Sequence, residues 1–378
     1  MPCYLKVTQK FNSFVFGLHR TNYFSKKVSD IVSIVAVDLF CGVGGLTHGL
    51  QQSGINVVAG YDIDEECRLP YEKNNRSKFI HMSVAELELT QLSTHFSSSG
   101  IRLLAGCAPC QPFSTYTQAK VRDERWDLLY HFSRLASELK PELITMENVP
   151  ELAKHDVFSD FVKTLSNHGY NVWHKVVNCP EYGIAQKRKR LVLLASRLGE
   201  ISLIPATHQP ENFVSLKDVI GNLPKLESGK TNSKDILHRA AGMSEINLSR
   251  IKASLPGGTW KDWPKELLAN CHKKSTGQKY TSVYGRMKWD DLSPTITTQF
   301  YNYGSGRYGH PTQNRAISLR EAAIIQSFPK NYKFTEETAN YSISSVARMI
   351  GNAVPVRLAK VIGDTLIAHI NTHYVDSE

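Results

Sequence analysis

The segment Gly106-Cys107-Ala-Pro109-Cys110-Gln111-Pro112-Phe113-Ser114 sets two cysteines three residues apart among prolines, directly after the apolar run Leu103–Ala105. A thiol at the carboxyl edge of a strand, held in a turn by prolines, is poorly placed for packing and well placed for attack. Two chemistries fit. Cys107 and Cys110 could form a dithiol redox pair, or Cys110 alone could be a nucleophile. A redox pair would open a helix, which Pro112 and Phe113 fit less well. Two further clusters supply partners. Thr145-Met-Glu147-Asn-Val-Pro150 ends another apolar run with a carboxylate, and Gln186-Lys-Arg188-Lys-Arg190 leads straight into Leu191–Ala195. In an extended segment residues two apart share a face, so Gln186, Arg188 and Arg190 are expected to point together. A thiol, a carboxylate and paired guanidinium groups at one sheet edge make a site rather than scattered polarity.

A second kind of site precedes these. Asp38-Leu-Phe40-Cys-Gly42-Val-Gly44-Gly45 follows the β-rich run Ile31–Phe40 and opens the helical pattern Leu46–Ser53. Glycines there let backbone approach a nucleotide-like ligand, and Asp62, at the end of the next strand, can accept hydrogen bonds from ribose hydroxyls. Lysine is absent at the Walker position, which argues against a P-loop. The pattern fits an adenosine-containing cofactor without separating NAD from S-adenosylmethionine.

The elements that must position these residues follow from alternation. Apolar runs at Ile31–Phe40, Ile55–Tyr61, Leu103–Ala105, Leu143–Met146, Asn171–Val177 and Leu191–Ala195 are separated by helical stretches, notably Asp127–Glu138 and Phe158–Asn167. That order predicts a parallel sheet with helices on its faces. Residues 205–317 are rich in Pro, Gly, Asn, Lys, Trp and Tyr with weak periodicity, and helical pattern returns at Leu319–Gln326 and Ser342–Ala368. We therefore divide the chain into a basic arm (1–30), a catalytic and cofactor-binding domain (31–200), an irregular insert (201–317) and a helical return (318–378).

Composition excludes several classes. Hydrophobic residues at 41% and charged residues at 21% are ordinary for a folded soluble protein, and no run approaches the ~18 apolar residues of a membrane span. Seven scattered cysteines lack framework spacing, so reduced thiols in a cytosolic setting are expected, and no metal site is expected. The net charge of +10 is unevenly spread: residues 1–30 carry five Lys/Arg against one acid, and residues 251–320 carry eleven against four. A basic block in an otherwise near-neutral chain is the footprint of a polyanion-binding surface.

Taken in order, DLFCGVGG, the acid of YDID, GCAPCQPFS, ENV, QKRKR, ISLREAAIIQSFP and GNAVPV resemble the motif series of the C5-cytosine DNA methyltransferases of bacterial restriction–modification systems. The likeness spans residues 36–195 and about 318–365. It implies a Rossmann-like S-adenosylmethionine-dependent methyltransferase sheet with a small, irregular, largely β target-recognition domain inserted. It also implies catalytic roles: Cys110 adds to C6 of cytosine, Glu147 contacts the ring at N3 and the exocyclic amine, and Arg190, with Arg188 nearby, supports the base. For the cofactor it implies Phe40, Gly42 and Gly44 in the turn, Asp62 on the ribose, Pro109 and Leu128 as walls, and Asn352 as a late contact. Three positions depart from the family pattern: Ser83 stands where an Asp usually holds the adenine amine, Ile63 where an aromatic is frequent, and Ala353 where Ser is frequent. The acid/Asn-Pro-Pro-aromatic motif of exocyclic-nitrogen methylation is absent, and the chain contains no Pro-Pro.

On this likeness the insert is expected to bind duplex DNA, with Arg286, Arg307 and Gln299 as base readers, Thr295 as a backbone contact, and Gln111, Ser114 and Gln186 near the target base. Buried in a duplex, the cytosine must flip out to reach Cys110. The related tRNA methyltransferases share these motifs, but their Cys-Phe-Thr tripeptide is missing here. A cytoplasmic, monomeric enzyme paired with a restriction endonuclease is the expected setting.

Overall fold

β1 (Ile34–Leu39) reads Ile-Val-Ala-Val-Asp-Leu and is buried along nearly its whole length, as befits a central parallel strand covered on both faces. It begins a computed structural model that describes residues 33–96, 100–109, 127–336 and 340–375, with side chains described to 373. The basic arm expected at 1–30 and the residues Cys110, Gln111 and Ser114 lie outside the described residues.

The chain continues through α1 (Gly45–Gln52), β2 (Asn56–Asp62), α2 (Arg68–Asn74), β3 (Lys78–His81), α3 (Leu89–Ser93) and β4 (Ile101–Gly106). It then forms α4 (Asp127–Leu139), β5 (Leu143–Asn148), α5 (Asp156–Asn167), β6 (Asn171–Asn178), β7 (Gln186–Lys187) and β8 (Lys189–Ser196). The main sheet has seven strands in the order β3-β2-β1-β4-β5-β8-β6. The strands from β1 to β5 pair in parallel, whereas β8 runs antiparallel to both β5 and β6. Strand order reverses between β1 and β4, so the crevice at their carboxyl ends is where such sheets bind ligands.

One face of the sheet is covered by α4 and α5, whose Leu129, Phe132, Leu135 and Ala136 and Val157, Phe158 and Phe161 repeat at helical spacing and are buried. On the other face α1 meets α10 (Val356–Val375) so closely that a Cβ on Gly49 would lie 2.4 Å from Ala359 Cβ. Glycine is required there by the approach of the two helices. The return expected as one helix over 342–368 is two, α9 (Ile343–Asn352) and α10. Pro355 lacks an N–H and disfavours helical geometry in the residue before it, which breaks the helix at Ala353-Val354.

The insert is irregular, but its expected β content is not found. Its elements are α6 (Leu216–Ile220), α7 (Glu245–Ala253), several single 3₁₀ turns and the two-residue strand β9 (Ser293–Pro294), which pairs with β7. A cluster of Ile251, Trp260, Trp263, Tyr303 and Ala316 gives it a core of its own. The insert is tied to α8 (Leu319–Ile325) by buried charge: Glu321 accepts from both terminal nitrogens of Arg315 at 2.7 Å and completes a capping box with Ser318.

Candidate active site

Glu147 ends β5, and the register brings β4, β5 and β8 together at one edge: Gly106 opposes Met146, and Asn148 opposes Leu191. Its carboxylate is 3% exposed. Cys107, the first residue after β4, donates its thiol to Glu147 Oε2 at 3.1 Å, and Arg190 Nε stands 2.9 Å from Oε1. The arginine neutralises the carboxylate, yet its N–H is not aligned on Oε1, and among the described residues this oxygen has no hydrogen-bond donor. Asn148 fixes the segment that leads to Cys110 by donating Nδ2 to Ala108 O at 2.9 Å, while its Oδ1 accepts from Val149 N.

The alternation expected for Gln186, Arg188 and Arg190 holds in their burial, with Lys187 and Lys189 exposed between them, although the backbone is not regularly extended. Gln186 N and Arg188 N each donate to the carbonyl two residues back, at 2.7 and 2.8 Å, so the extended run restarts at Lys189. Gln186 is wholly buried: its amide accepts from Ile296 N and donates to Gln326 Oε1. That removes it from any nucleic-acid surface, contrary to expectation. Arg188 is also buried, with Nη1 on Ile296 O and Nη2 on Ala353 O, and burial pushes its guanidinium down to about 9, with Arg190 adding to the effect. It joins the insert to the return helices beneath the site rather than offering a terminal nitrogen to a substrate.

The cofactor cradle is formed at the ends of β1 and β2. Phe40, Gly42 and Gly44 all have positive φ (60°, 50° and 85°). Gly42 N donates to Asp62 Oδ2 at 2.8 Å and Asp64 N to Oδ1 at 2.9 Å. Among the described residues a Cβ on Gly42 would meet nothing within 4 Å, whereas one on Gly44 would strike Asn75 Nδ2 at 2.4 Å. Gly42 therefore borders open space and Gly44 borders packed protein. Ile63 beside it is 67% exposed. Asp38, below the turn, is wholly buried: burial pushes its carboxyl up to about 7 against the pull of the Thr47 hydroxyl, and nearby Asp62 raises it further. Its Oδ1 has no partner among the described residues. Open space over a glycine, an exposed aliphatic side chain and the Asp62 carboxylate suit an adenosine-bearing cofactor.

Ser83 is half-buried just past β3, where its hydroxyl accepts from Ala85 N at 3.2 Å, and Met82 N bonds Asp62 O. Pro109 and Leu128 are half-buried on either side of the undescribed segment. Asn352 is exposed at the end of α9, and Ala353 turns its carbonyl to Arg188 and Gln326. Gly351 was missed by sequence reasoning, because nothing in its neighbours marks a close approach. A Cβ there would lie 2.5 Å from the Thr297 backbone, so the return presses directly on the insert. Asn75 and Tyr332 were likewise missed. Tyr332 donates its hydroxyl to Val43 O and Asn75 donates to the Tyr332 hydroxyl, so the glycine turn is braced from the return.

Of the insert residues expected on DNA, Gln299 is exposed and Arg307 half-buried. Arg286 is 4% exposed, with Nη1 on His310 O, Pro311 O and Gln313 O and Nη2 on Ile251 O and Asn314 Oδ1. It has no terminal nitrogen left for a base edge. Thr295 is half-buried; it donates its hydroxyl to Lys187 O at 2.6 Å, and its carbonyl accepts from the Tyr308 hydroxyl.

This arrangement is that of a Rossmann-like methyltransferase sheet with a thiol–carboxylate edge beside the cradle. The C-5 cytosine-specific DNA methylase family model matches residues 34–368, and the chain belongs to that family, as a DNA cytosine-5 methyltransferase. It is 51% identical to the Type II methylase M.HgiDII of Herpetosiphon aurantiacus over 333 residues, covering 87% of this chain and 94% of that one. It is 31% identical to the Type II methyltransferase M.Sau96I of Staphylococcus aureus, covering 88% and 76%. The fold is shared with an E. coli structure described as a prophage-encoded DNA modification methyltransferase, at 23% identity and a TM-score of 0.70, covering 90% of this chain and all of that one.

Proposed function

We propose that this enzyme methylates C5 of a cytosine flipped out of a specific duplex sequence, through a covalent bond between Cys110 and C6. The observation that carries the mechanism is the setting of Glu147, buried beside Arg190 with one oxygen occupied by Cys107 and the other without an aligned donor. In this reading Oε1 receives the exocyclic amine of the flipped base, and Arg190 holds the carboxylate in position. The Cys110 thiolate adds to C6, the electron pair of the C5–C6 bond moves into the ring, and C5 becomes the nucleophilic carbon of an enamine. For this step Glu147 carries a proton that it gives to N3, neutralising the charge that gathers there, and takes it back when Cys110 is expelled. Loss of the proton from C5 afterwards restores the double bond and expels Cys110. Phe40, Gly42, Gly44, Asp62, Ile63 and Ser83, with Pro109, Leu128, Asn352 and Ala353 at the rim, would hold S-adenosylmethionine. When bound, S-adenosylmethionine supplies an electrophilic methyl group. Flipping costs roughly a few kcal/mol, recovered from contacts to the extruded base.

The likeness to Type II methylases supports a role in protecting host DNA from a matching endonuclease in a bacterial cytoplasm; a monomer is proposed because one flipped base needs one active site. The test is transfer of labelled methyl groups to mixed-sequence duplex DNA and to tRNA by wild type and Cys110→Ala. Label at C5 of cytosine in DNA, abolished in the variant, is the expected result. Label confined to tRNA, or undiminished by Cys110→Ala, would refute the reading.

A further inference from the structure

We propose that a pocket where the insert meets β7 seats a single phosphate group, apart from the thiol–carboxylate edge; this rests on the reading of duplex DNA as substrate. The pocket encloses about 130 Å³ and is lined by Lys187, Lys288, Arg286 and Arg307, with Asp291 as the one carboxylate in the lining. That volume holds several waters, and so a tetrahedral oxyanion in their place.

Two observations point to an anion rather than to a gap. The Nε atoms of Arg286 and Arg307 are both buried and have no hydrogen-bond partner among the described residues. A buried charged donor left unpaired is costly, and the guanidinium fork matches phosphate oxygens. The walls are also shaped to bring cations in. A Cβ on Gly257, at φ +80°, would lie 2.3 Å from Lys288 Cε, and one on Gly285 would lie 2.5 Å from Arg307 Cγ. Both basic side chains thus lie directly across glycines, Gly257 being held to glycine by its positive φ and Gly285 by the near end of the Arg307 side chain. Arg286 is fixed by its carbonyl acceptors, so its remaining N–H is preorganised. Asp291 holds Lys187 Nζ at 2.8 Å, which keeps that ammonium at the pocket when it is empty.

Position favours a backbone phosphate of the substrate. Lys187 is three residues from Arg190, the partner of Glu147, so a strand anchored here runs beside the site. Inorganic phosphate offers the same chemistry, and the experiment separates the two. The ¹⁵Nε–H signals of Arg286 and Arg307 would be followed in the whole protein, at constant ionic strength, during titration with inorganic phosphate and with a short mixed-sequence duplex. Duplex affinity would be measured against salt for wild type, Lys288→Gln and Arg307→Gln. Lys288 is exposed, so its variant keeps the fold.

Both signals should shift with duplex, and each variant should lower the salt slope by up to ~0.9, the value for one phosphate contact, which is a ~3.5-fold smaller loss of affinity between about 50 and 200 mM salt. Saturable shifts with inorganic phosphate and an unchanged slope would assign the seat to the small anion. Signals unmoved by either probe, with unchanged slopes, would overturn the proposal. Wild type that binds duplex but transfers no labelled methyl group would overturn the substrate reading, while the Nε signals still decide the pocket.

Discussion

Removing the charge from Glu321 should unseat the insert. Glu321 and Arg315 are 1% and 0% exposed, and the carboxylate accepts two 2.7 Å bonds from Arg315 and one from Ser318 N. Glu321→Gln leaves a buried guanidinium without its counter-charge, a defect that costs about 3–5 kcal/mol. For a domain of this size the midpoint of thermal unfolding should fall by on the order of 5–15 °C. Arg315→Met alone should cost a similar amount, since it also abandons Leu226 O and Ala316 O. The pair Arg315→Met/Glu321→Gln should be less damaging than the sum by about 2–3 kcal/mol, because no charge is then left buried. The pH dependence has a definite sign. Burial would raise the Glu321 carboxyl, but the Arg315 hydrogen bonds and charge outweigh it and hold it down to about 2. Its stabilisation is therefore complete above the ordinary value of 4.5 and lost as pH falls from there toward 2. Denaturant unfolding of the four proteins at neutral pH, and again in high salt, is the assay. Additive losses, or a coupling that salt halves, would refute the argument, since a pair this deep is scarcely screened.

Three further outcomes follow from the site. Glu147→Gln should cut methyl transfer at least ~100-fold, whereas Cys107→Ala, which removes one thiol hydrogen bond, should cost ~2–10-fold; a reversed order in single-turnover assays would return the redox-pair reading to consideration. Gly44→Ala combines a strained φ of +85° with a collision on Asn75 and should weaken cofactor binding and lower thermal stability together; calorimetry on the variant checks both. Asp38, raised from 3.8 to about 7, withdraws stability as pH climbs between those values, so Asp38→Asn should raise the unfolding temperature at pH 8 relative to wild type. An unchanged difference between pH 5 and pH 8 would contradict that sign.

The sheet was readable because its inner strands are apolar without interruption: β1, β4 and β5 are buried on both faces and need no alternation. β3 was not readable. Lys78-Phe-Ile-His81 is an edge strand with only Phe79 buried, and four residues of mixed polarity carry no period. The same reasoning placed Glu147 and Arg190 together, since strand ends in one sheet share an edge. For Gln186 and Arg188 it gave the shared face but not the depth: both are buried against the insert and the return, and the tight backbone turns at each leave no mark on residue type.

The arginines of the insert show why charge alone misleads. A segment with almost no ladder pairing leaves many carbonyls without N–H partners, and buried carbonyls must find donors. Arginine brings five donors in a rigid fork, and the insert spends them inward: Arg286 and Arg315 are buried and donate to backbone carbonyls, as does Arg320 just past the insert in α8. Lysine brings a mobile point charge that solvates well. Every lysine between 251 and 320, namely Lys252, Lys261, Lys265, Lys273, Lys274, Lys279 and Lys288, is exposed. The basic block that announced a polyanion partner is thus two populations, one holding the domain together and one facing outward. Apart from the phosphate proposed for the Arg286–Arg307 pocket, attraction to the duplex falls to the lysines and should be strongly salt-dependent. We propose that sequence discrimination rests on few groups, with the exposed Gln299 the first to replace when specificity is to be altered.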